Sequence, residues 1–375
     1  MKALHVINTA EVGGGGSHLI QLAQGLALHG WTSTVVVGRD GPSGPGLRAA
    51  GVPVLTLGGS MGVGTLLSLP RVLRSQRPDV VHVHGSRAGL LGALSARAAG
   101  VRPVVYTAHA FAFRREDYPI LRRAFILAER ATCELADHVI CLTHGDLAAA
   151  KDAGIPTSRA TVIPNGIDLT RFTAGPDRAV LGIAQGVPVI GMVARLVPQK
   201  DPMTFLHAAR RIADTLPDAK FLLIGDGPLR PNVESAVRAL GLEGRCLVLG
   251  TRQDVPELLQ AMDVVLLTSR WEGLPIAALE AMAAARPLVA SRLPGLSEVI
   301  DDGLTGVLVS PGDSAQFAAA AVALLRDASR RAAMGARARR RVADHFSQER
   351  MVTSTVGAYH AALAAYSSTV EVRTT

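Results

Sequence analysis

The chain has 375 residues, enough for about two domains at roughly 150 residues each. With 48% apolar and 19% charged residues it is built to fold, which excludes a disordered or fibrous chain, and 38 glycines with 4% aromatics favour tight turns and aliphatic packing. A net charge of +8 suits phosphate or an anionic surface, while three scattered cysteines (Cys133, Cys141, Cys246) exclude a disulfide framework and fit a reducing cytosol.

Taken in order, the first element is a strand over 3–8 that breaks at Asn8, too short for the core of a signal peptide. Further strand-like runs follow at 33–38, 53–57, 80–84, 104–107, 138–142 and 161–163, separated by amphipathic stretches at 17–29, 64–76, 88–99 and 119–135. The alternation resumes with strands at 187–193, 220–224, 246–249, 264–268, 288–290 and 306–309, and from 314 onward the chain reads as helix, divided at Gly335 and at Phe346-Ser347. Apolar runs spaced by helices are buried parallel strands with right-handed crossovers, so the pattern predicts an α/β protein with two doubly wound, Rossmann-like domains. The turn-rich segment from Pro164 to Asp177 separates them. The expected domains are 1–168 and 178–348, joined by a linker at 169–177, with ligands at the carboxyl ends of the strands in a central cleft. No run approaches the roughly eighteen apolar residues of a membrane span.

Several residues in these loops can carry chemistry. Gly13, Gly14, Gly15 and Gly16 follow the first strand, with Ser17 as a candidate helix N-cap; such a turn admits a phosphate, or is only tight. A dinucleotide fingerprint would need a glycine where Leu19 stands, and Asp40 as ribose-binding acid sits in a Gly/Pro loop, so an oxidoreductase is disfavoured. Arg195 and Lys200, just after the strand at 187–193, can hold a diphosphate or be a solvated pair, and Asp201-Pro202 opens the next helix. Glu272 lies in the turn after the strand at 264–268, with Pro275 at the first helical position and Glu280 within that helix. Such carboxylates, with the N–H groups at Gly273 and Leu274, suit a ligand rich in hydroxyls; a capping acid plus a solvated helix acid is the alternative. His109 ends the strand at 104–107 and points into the expected cleft. His82 and His84 share a strand face, but no neighbouring Cys or acid completes a metal set, and no Asp-x-Asp pair exists for a divalent ion. No metal is therefore expected.

Together these residues resemble the retaining glycosyltransferases of family 4, which have the two-domain GT-B fold. The resemblance spans nearly the whole chain. Its most specific element is the E-x7-E pair Glu272 and Glu280, supported by Gly225-Asp226-Gly227-Pro228, Gly250-x3-Asp254-Val255-Pro256-Glu257-Leu258, Ile163-Pro164-Asn165-Gly166-Ile167-Asp168 and Asp302-Gly303-x2-Gly306. It implies that Arg195 and Lys200 hold the donor diphosphate, with Gly13 and Gly14 closing over it from the other domain. Glu280 would bind the ribose, the backbone near Arg252 the base, and Glu272 with Gly273 and Leu274 the donor sugar. His109 would sit by the transferred sugar and the incoming hydroxyl. The C-terminal helix, 349–375, would return to the N-terminal domain. Family members usually carry glycine at Ala285 and a double glycine at Pro294-Gly295, departures expected to adjust loops on the donor side.

The implied reaction moves a sugar from a nucleotide diphosphate to a hydroxyl with retention and without a metal. The nucleotide sugar is a substrate and no cofactor is expected; uridine is the favoured base. Residues 82–89 and 107–115 resemble bacterial enzymes that build surface polysaccharides on polyprenyl-diphosphate carriers, so Ser86, Arg87 and Arg114 are candidate acceptor residues. Arg114, Arg115, Arg122, Arg123 and Arg130 among Phe111, Phe113, Ile120, Leu121, Phe125 and Ile126 suit an anionic membrane surface or a solvated helix face. The expected location is cytoplasmic, peripheral on the inner membrane face, with no nucleic-acid partner because the basic residues are dispersed. An epimerase of nucleotide sugars, or a transferase with a small soluble acceptor, are the alternatives.

Overall fold

Contiguous runs of Val, Ile and Leu fold into buried strands, because a parallel strand covered by helices on both faces has no solvated side to hold polar residues. The computed structural model describes residues 1–9, 14–41, 43–114, 119–173 and 178–374. It forms two units, Met1–Gly166 with Gln348–Thr375, and Ile167–Ser347. Residues 174–177 of the expected linker lie outside the described residues.

Unit 1 contains strands β1 (Lys2–Thr9), β2 (Thr32–Arg39), β3 (Val54–Thr56), β4 (Val80–His84), β5 (Val104–Ala108), β6 (His138–Cys141) and β7 (Ala160–Val162). Their order is β3-β2-β1-β4-β5-β6-β7, all parallel, with the order reversing between β1 and β4. The crossovers include α1 (Gly14–Leu28), α2 (Gly44–Ala49), α3 (Thr65–Gln76), α4 (Ser86–Ala99), α5 (Arg122–Leu135) and α6 (His144–Asp152). Side chains alternate across the sheet. Leu4, Val6, Val81, Val83 and Tyr106 pack on one face with Leu69, Leu73 and Ala93, while Ala3, Val80 and Val105 pack on the other with Leu22, Leu26 and Tyr359.

Unit 2 repeats the plan with β8 (Val189–Val193), β9 (Lys220–Ile224), β10 (Cys246–Gly250), β11 (Val264–Leu267), β12 (Leu288–Ser291) and β13 (Val307–Val309), ordered β10-β9-β8-β11-β12-β13. Its helices are α7 (Pro202–Thr215), α8 (Arg230–Ala239), α9 (Val255–Gln260), α10 (Ile276–Ala283), α11 (Pro294–Val299), α12 (Ser314–Arg326) and α13 (Ala328–His345). The last helix, α14 (Gln348–Thr374), packs on unit 1, where Met351, Val352 and Tyr359 join Leu22, Leu26 and Trp31.

Two local expectations fail. Helix α1 begins at Gly14, so Ser17 lies inside the first turn and is no N-cap. Gly335 does not end a helix but sits within α13, where a Cβ would collide with the Ala285 carbonyl oxygen. The glycine is there for close approach, and the break falls instead at Asp327, which caps α13 by accepting from the Arg330 N–H at 2.8 Å.

Candidate active site

Open α/β sheets gather ligands at the carboxyl ends of the strands where the order reverses. In unit 2 that place lies between β8 and β11, and the loops leaving these two strands are tied together. The Thr268 hydroxyl donates to the carbonyls of Asp201 at 2.9 Å and Lys200 at 3.1 Å, and the Arg270 N–H donates to the Gln199 carbonyl at 2.8 Å. These ties bring the Lys200 ammonium onto the Glu272 carboxylate as an ion pair. The same carboxylate accepts from Ser269 Oγ at 2.7 Å and from Gln199 Nε2 at 3.3 Å. Glu272 is thus held by three donors with its side chain 6% exposed, a geometry fixed before any ligand arrives. Asp201 caps α7, its carboxylate accepting from the Thr204 N–H at 3.3 Å and from Arg270 Nε at 3.0 Å, with Pro202 first in the helix as expected.

Arg195 is exposed two residues beyond β8. Its loop is seated by the turn at Gly225-Asp226-Gly227: a Cβ on Gly225 would strike the Ala194 carbonyl oxygen and one on Gly227 the Leu196 carbonyl oxygen, while the Leu196 N–H donates to the Asp226 carbonyl at 2.9 Å. That is the physical reason for the two glycines. On the other side, α11 approaches so closely that a Cβ on Gly295 would strike the Gly273 carbonyl oxygen. Pro294 occupies the first turn of α11, where its missing N–H costs nothing. The chain therefore keeps glycine where contact demands it. Pro275 precedes α10 rather than opening it, and Glu280 is the fifth residue of that helix. Its carboxyl has no hydrogen-bond or ion-pair partner among the described residues, and burial pushes it up to about 7 against the opposing pull of Arg171. Arg252, expected near the base, is exposed and makes a two-pronged pair with Asp254 at 2.7 and 2.6 Å.

In unit 1 the reversal between β1 and β4 holds five imidazoles. His5 stands opposite His82 in the ladder, Ile7 opposite His84, and His84 opposite Thr107. His5 Nδ1 lies 3.1 Å from His84 Nε2, and His84 Nδ1 lies 3.3 Å from His109 Nε2. His18, on α1, meets His109 edge-on with ring centroids 4.9 Å apart. His82 is tied to Tyr359 Oη of α14 and to Thr107 Oγ1, both at 2.7 Å. Burial holds His5 and His109 down to about 4, and holds His18, His82 and His84 well below the usual imidazole range with their neighbours' help. His109 is therefore neutral at pH 7. Local spacing showed only the His82/His84 pair; the signal for the rest was the doubly wound strand order, which places the first and fourth strands side by side.

The two halves match different family models: residues 12–171 that of "Glycosyltransferase Family 4", and residues 175–341 that of "Glycosyl transferases group 1". The UDP-Gal:alpha-D-GlcNAc-diphosphoundecaprenol alpha-1,3-galactosyltransferase of Escherichia coli is 34% identical over 75% of this chain and 76% of its own. The chain is a family 4 glycosyltransferase. A second relative, alpha-maltose-1-phosphate synthase of Mycolicibacterium smegmatis, is 32% identical over 82% of this glycosyltransferase and 86% of its own length. Among solved structures, Anabaena HepE in complex with UDP and glucose superposes with a TM-score of 0.85 at 25% identity, covering 95% of this chain and 98% of that one. The fold is GT-B, and the enzyme is a retaining glycosyltransferase that uses a nucleotide-sugar donor.

The residues expected near its acceptor are placed unevenly. Arg87 is exposed on α4, but Ser86 donates to Glu129, a buried carboxyl that also accepts from Tyr106 Oη at 2.7 Å and is raised by burial. Arg114 is paired at 2.6 Å with the buried Asp146. Sequence reasoning missed Glu129, because one acid in an amphipathic helix reads as solvated. In the glycine loop, Gly14 is the first residue of α1, whereas Gly13 and the candidate membrane residue Arg115 lie outside the described residues.

Proposed function

We propose that unit 2 of this glycosyltransferase binds the donor through Arg195 and Lys200 on the diphosphate, Glu280 on the ribose and the loop at Arg252 beside the base. Glu272 with Gly273 and Leu274 holds the transferred sugar, and Gly13 with Gly14 contributes to the diphosphate. The observation that carries this reading is the Lys200–Glu272 ion pair at the strand reversal of unit 2, which sets a cation for the leaving group beside a carboxylate for sugar hydroxyls. In the reaction the bond from the anomeric carbon to the diphosphate oxygen breaks, and the acceptor oxygen bonds to that carbon from the same face. The acceptor proton passes to the departing diphosphate, and His109, neutral at pH 7, hydrogen-bonds the reacting groups. No enzymic nucleophile is needed; stabilising the leaving group and positioning the acceptor supply the rate.

The favoured donor base is uridine, as in the UDP-bound HepE, and the favoured acceptor is a polyprenyl-diphosphate-linked glycan of bacterial surface-polysaccharide synthesis, as named for the E. coli relative. Support for a membrane-side acceptor comes from Ile120, 94% exposed, and Leu127, 67% exposed, beside the exposed Arg122 and Arg123. Among the described residues no helix is long and apolar enough to cross a membrane. The M. smegmatis relative favours a second reading, a small soluble acceptor. A thermal-shift panel of UDP-, GDP- and ADP-sugars, followed by transfer assays with lipid-linked and soluble acceptors, tests both; the largest shift is expected with a UDP-sugar. Vesicle co-sedimentation should be strong with anionic lipid at low salt and weaker as salt rises, and absence of binding at low salt would remove the membrane from the reading.

A further inference from the structure

The histidines of unit 1 include one whose ring nitrogens are poorly satisfied. His18 is 4% exposed, and its ring nitrogens have no hydrogen-bond partner among the described residues apart from a polar interaction with the Asn165 side chain. A buried polar ring left in this way is a cost that a ligand would relieve. One nitrogen from each of His18, His84 and His109 lies within 4.8 Å of the other two. Zinc–imidazole bonds of about 2.0–2.1 Å put tetrahedral ligands about 3.3 Å apart. The closest approach of His84 and His109, Nδ1 to Nε2, is already 3.3 Å, and the three rings need draw together from at most 4.8 Å.

The outer partner is present too. With His84 Nδ1 on an ion, its Nε2–H donates to His5 Nδ1, 3.1 Å away, which fixes the ring as such partners do in metal centres. A second set, His5, His82 and His84, also lies within 4.8 Å, but both nitrogens of His82 are held by Tyr359 and Thr107. Three imidazoles without thiolate or carboxylate suit a borderline divalent ion and leave a fourth position open.

We propose that His18, His84 and His109 form a site for one divalent ion of the zinc class, and that filling it stops glycosyl transfer by engaging the lone pair of His109. The second half rests on the reading that places His109 at the reacting hydroxyl. The test uses the full-length chain, metal-free and without a polyhistidine tag, titrated with Co2+ and followed by visible d–d absorption, with Zn2+ as competitor. One equivalent is expected to bind, with His18→Gln and His84→Gln each weakening it at least roughly tenfold and His82→Gln by less than about threefold. No saturable absorption by the wild-type protein at one equivalent overturns the first half, as does a His82→Gln loss exceeding that of His18→Gln. Saturating Zn2+ should lower transfer by the wild-type enzyme at least roughly tenfold, reversibly with chelator. Binding without inhibition overturns the second half and takes His109 from the reacting centre. Normal transfer with no binding overturns the site and leaves the donor reading intact.

Discussion

At the scale of single residues, the proposed donor site joins one carboxylate that is fully engaged to one that is not. Glu272 already has Lys200, Ser269 and Gln199 as partners, so Lys200→Ala removes a preorganised charge and also loosens Glu272. Arg195 lies on the same β8–α7 loop, at the end seated by Gly225, and Arg195→Ala removes a second charge there. Each is expected to lower kcat by about 10²- to 10³-fold at saturating donor, as loss of one preorganised donor does elsewhere, and kcat close to wild type in both variants would refute the diphosphate assignment. Glu280 is the opposite case: no fixed partner, and a carboxyl raised to about 7 mainly by burial. Because the folded state keeps the proton that the unfolded chain has released, this group stabilises unit 2 below pH 4.5 and that contribution is lost as pH rises through about 7. Ribose hydroxyls would donate best to the ionised form. Donor affinity should therefore strengthen, by roughly tenfold, between pH 6 and 8, and Glu280→Gln should flatten that dependence in calorimetric titrations. A pH-independent affinity in the wild type would detach Glu280 from the ribose.

At the scale of elements, helix ends decide what the two departures from the family pattern mean. Ala285 follows the last residue of α10 and its cap, Ala284, and its φ of 54° is left-handed. That is the place where helices most often end on glycine, because a Cβ there meets backbone. Its carbonyl also receives the close approach of Gly335 in α13, so the backbone has no freedom to relax the strain. Ala285→Gly should therefore raise the stability of unit 2 by about 1 kcal/mol in urea unfolding, and an unchanged or lower midpoint would show that the strain is not felt. Pro294-Gly295 carries no comparable strain, since the proline is in the first turn of α11 and the glycine remains where Gly273 presses on it. The strands were legible because burial on both faces makes them continuous apolar runs. Helix starts were less so: Ser17 has the composition of a cap but lies inside α1. Gly335 looks like a break and is instead a contact. Both errors have one cause, that a small residue serves turns and close packing alike.

At the scale of the whole molecule, the carboxylates of unit 2 were read together because Glu272 and Glu280 share one segment of chain, whereas in unit 1 the sequence singled out only His82, His84 and His109 and did not show the cluster. His5, His18, His82, His84 and His109 come from β1, α1, β4 and the end of β5, and only strand order assembles them. Their burial has a consequence for the unit that contains them. His5 and His109 are held at about 4 and the other three well below the ordinary value of 6.5, none of them through an acidic partner. The unfolded chain binds these protons from pH 6.5 downward while the folded one refuses them. Stability is therefore lost as pH falls, from about 6.5 to about 4 for His5 and His109 and further for the rest. Each of those two groups is worth on the order of 3 kcal/mol at pH 4, so the pair alone is a large part of the 5–15 kcal/mol that holds a typical domain, and the other three act in the same direction. Unit 1 should thus unfold in acid before unit 2. Trp31 reports on unit 1 and Trp271 on unit 2, so fluorescence of Trp271→Phe and Trp31→Phe variants follows the two separately. Comparing urea unfolding at pH 8 and pH 5 removes the pH-independent packing cost of a mutation. In that comparison His5→Leu should shrink the stability difference between the two pH values by about 2 kcal/mol. A wild-type unit 1 equally stable at both, or a His5→Leu variant with an undiminished difference, would mean that these rings take up protons in the folded state.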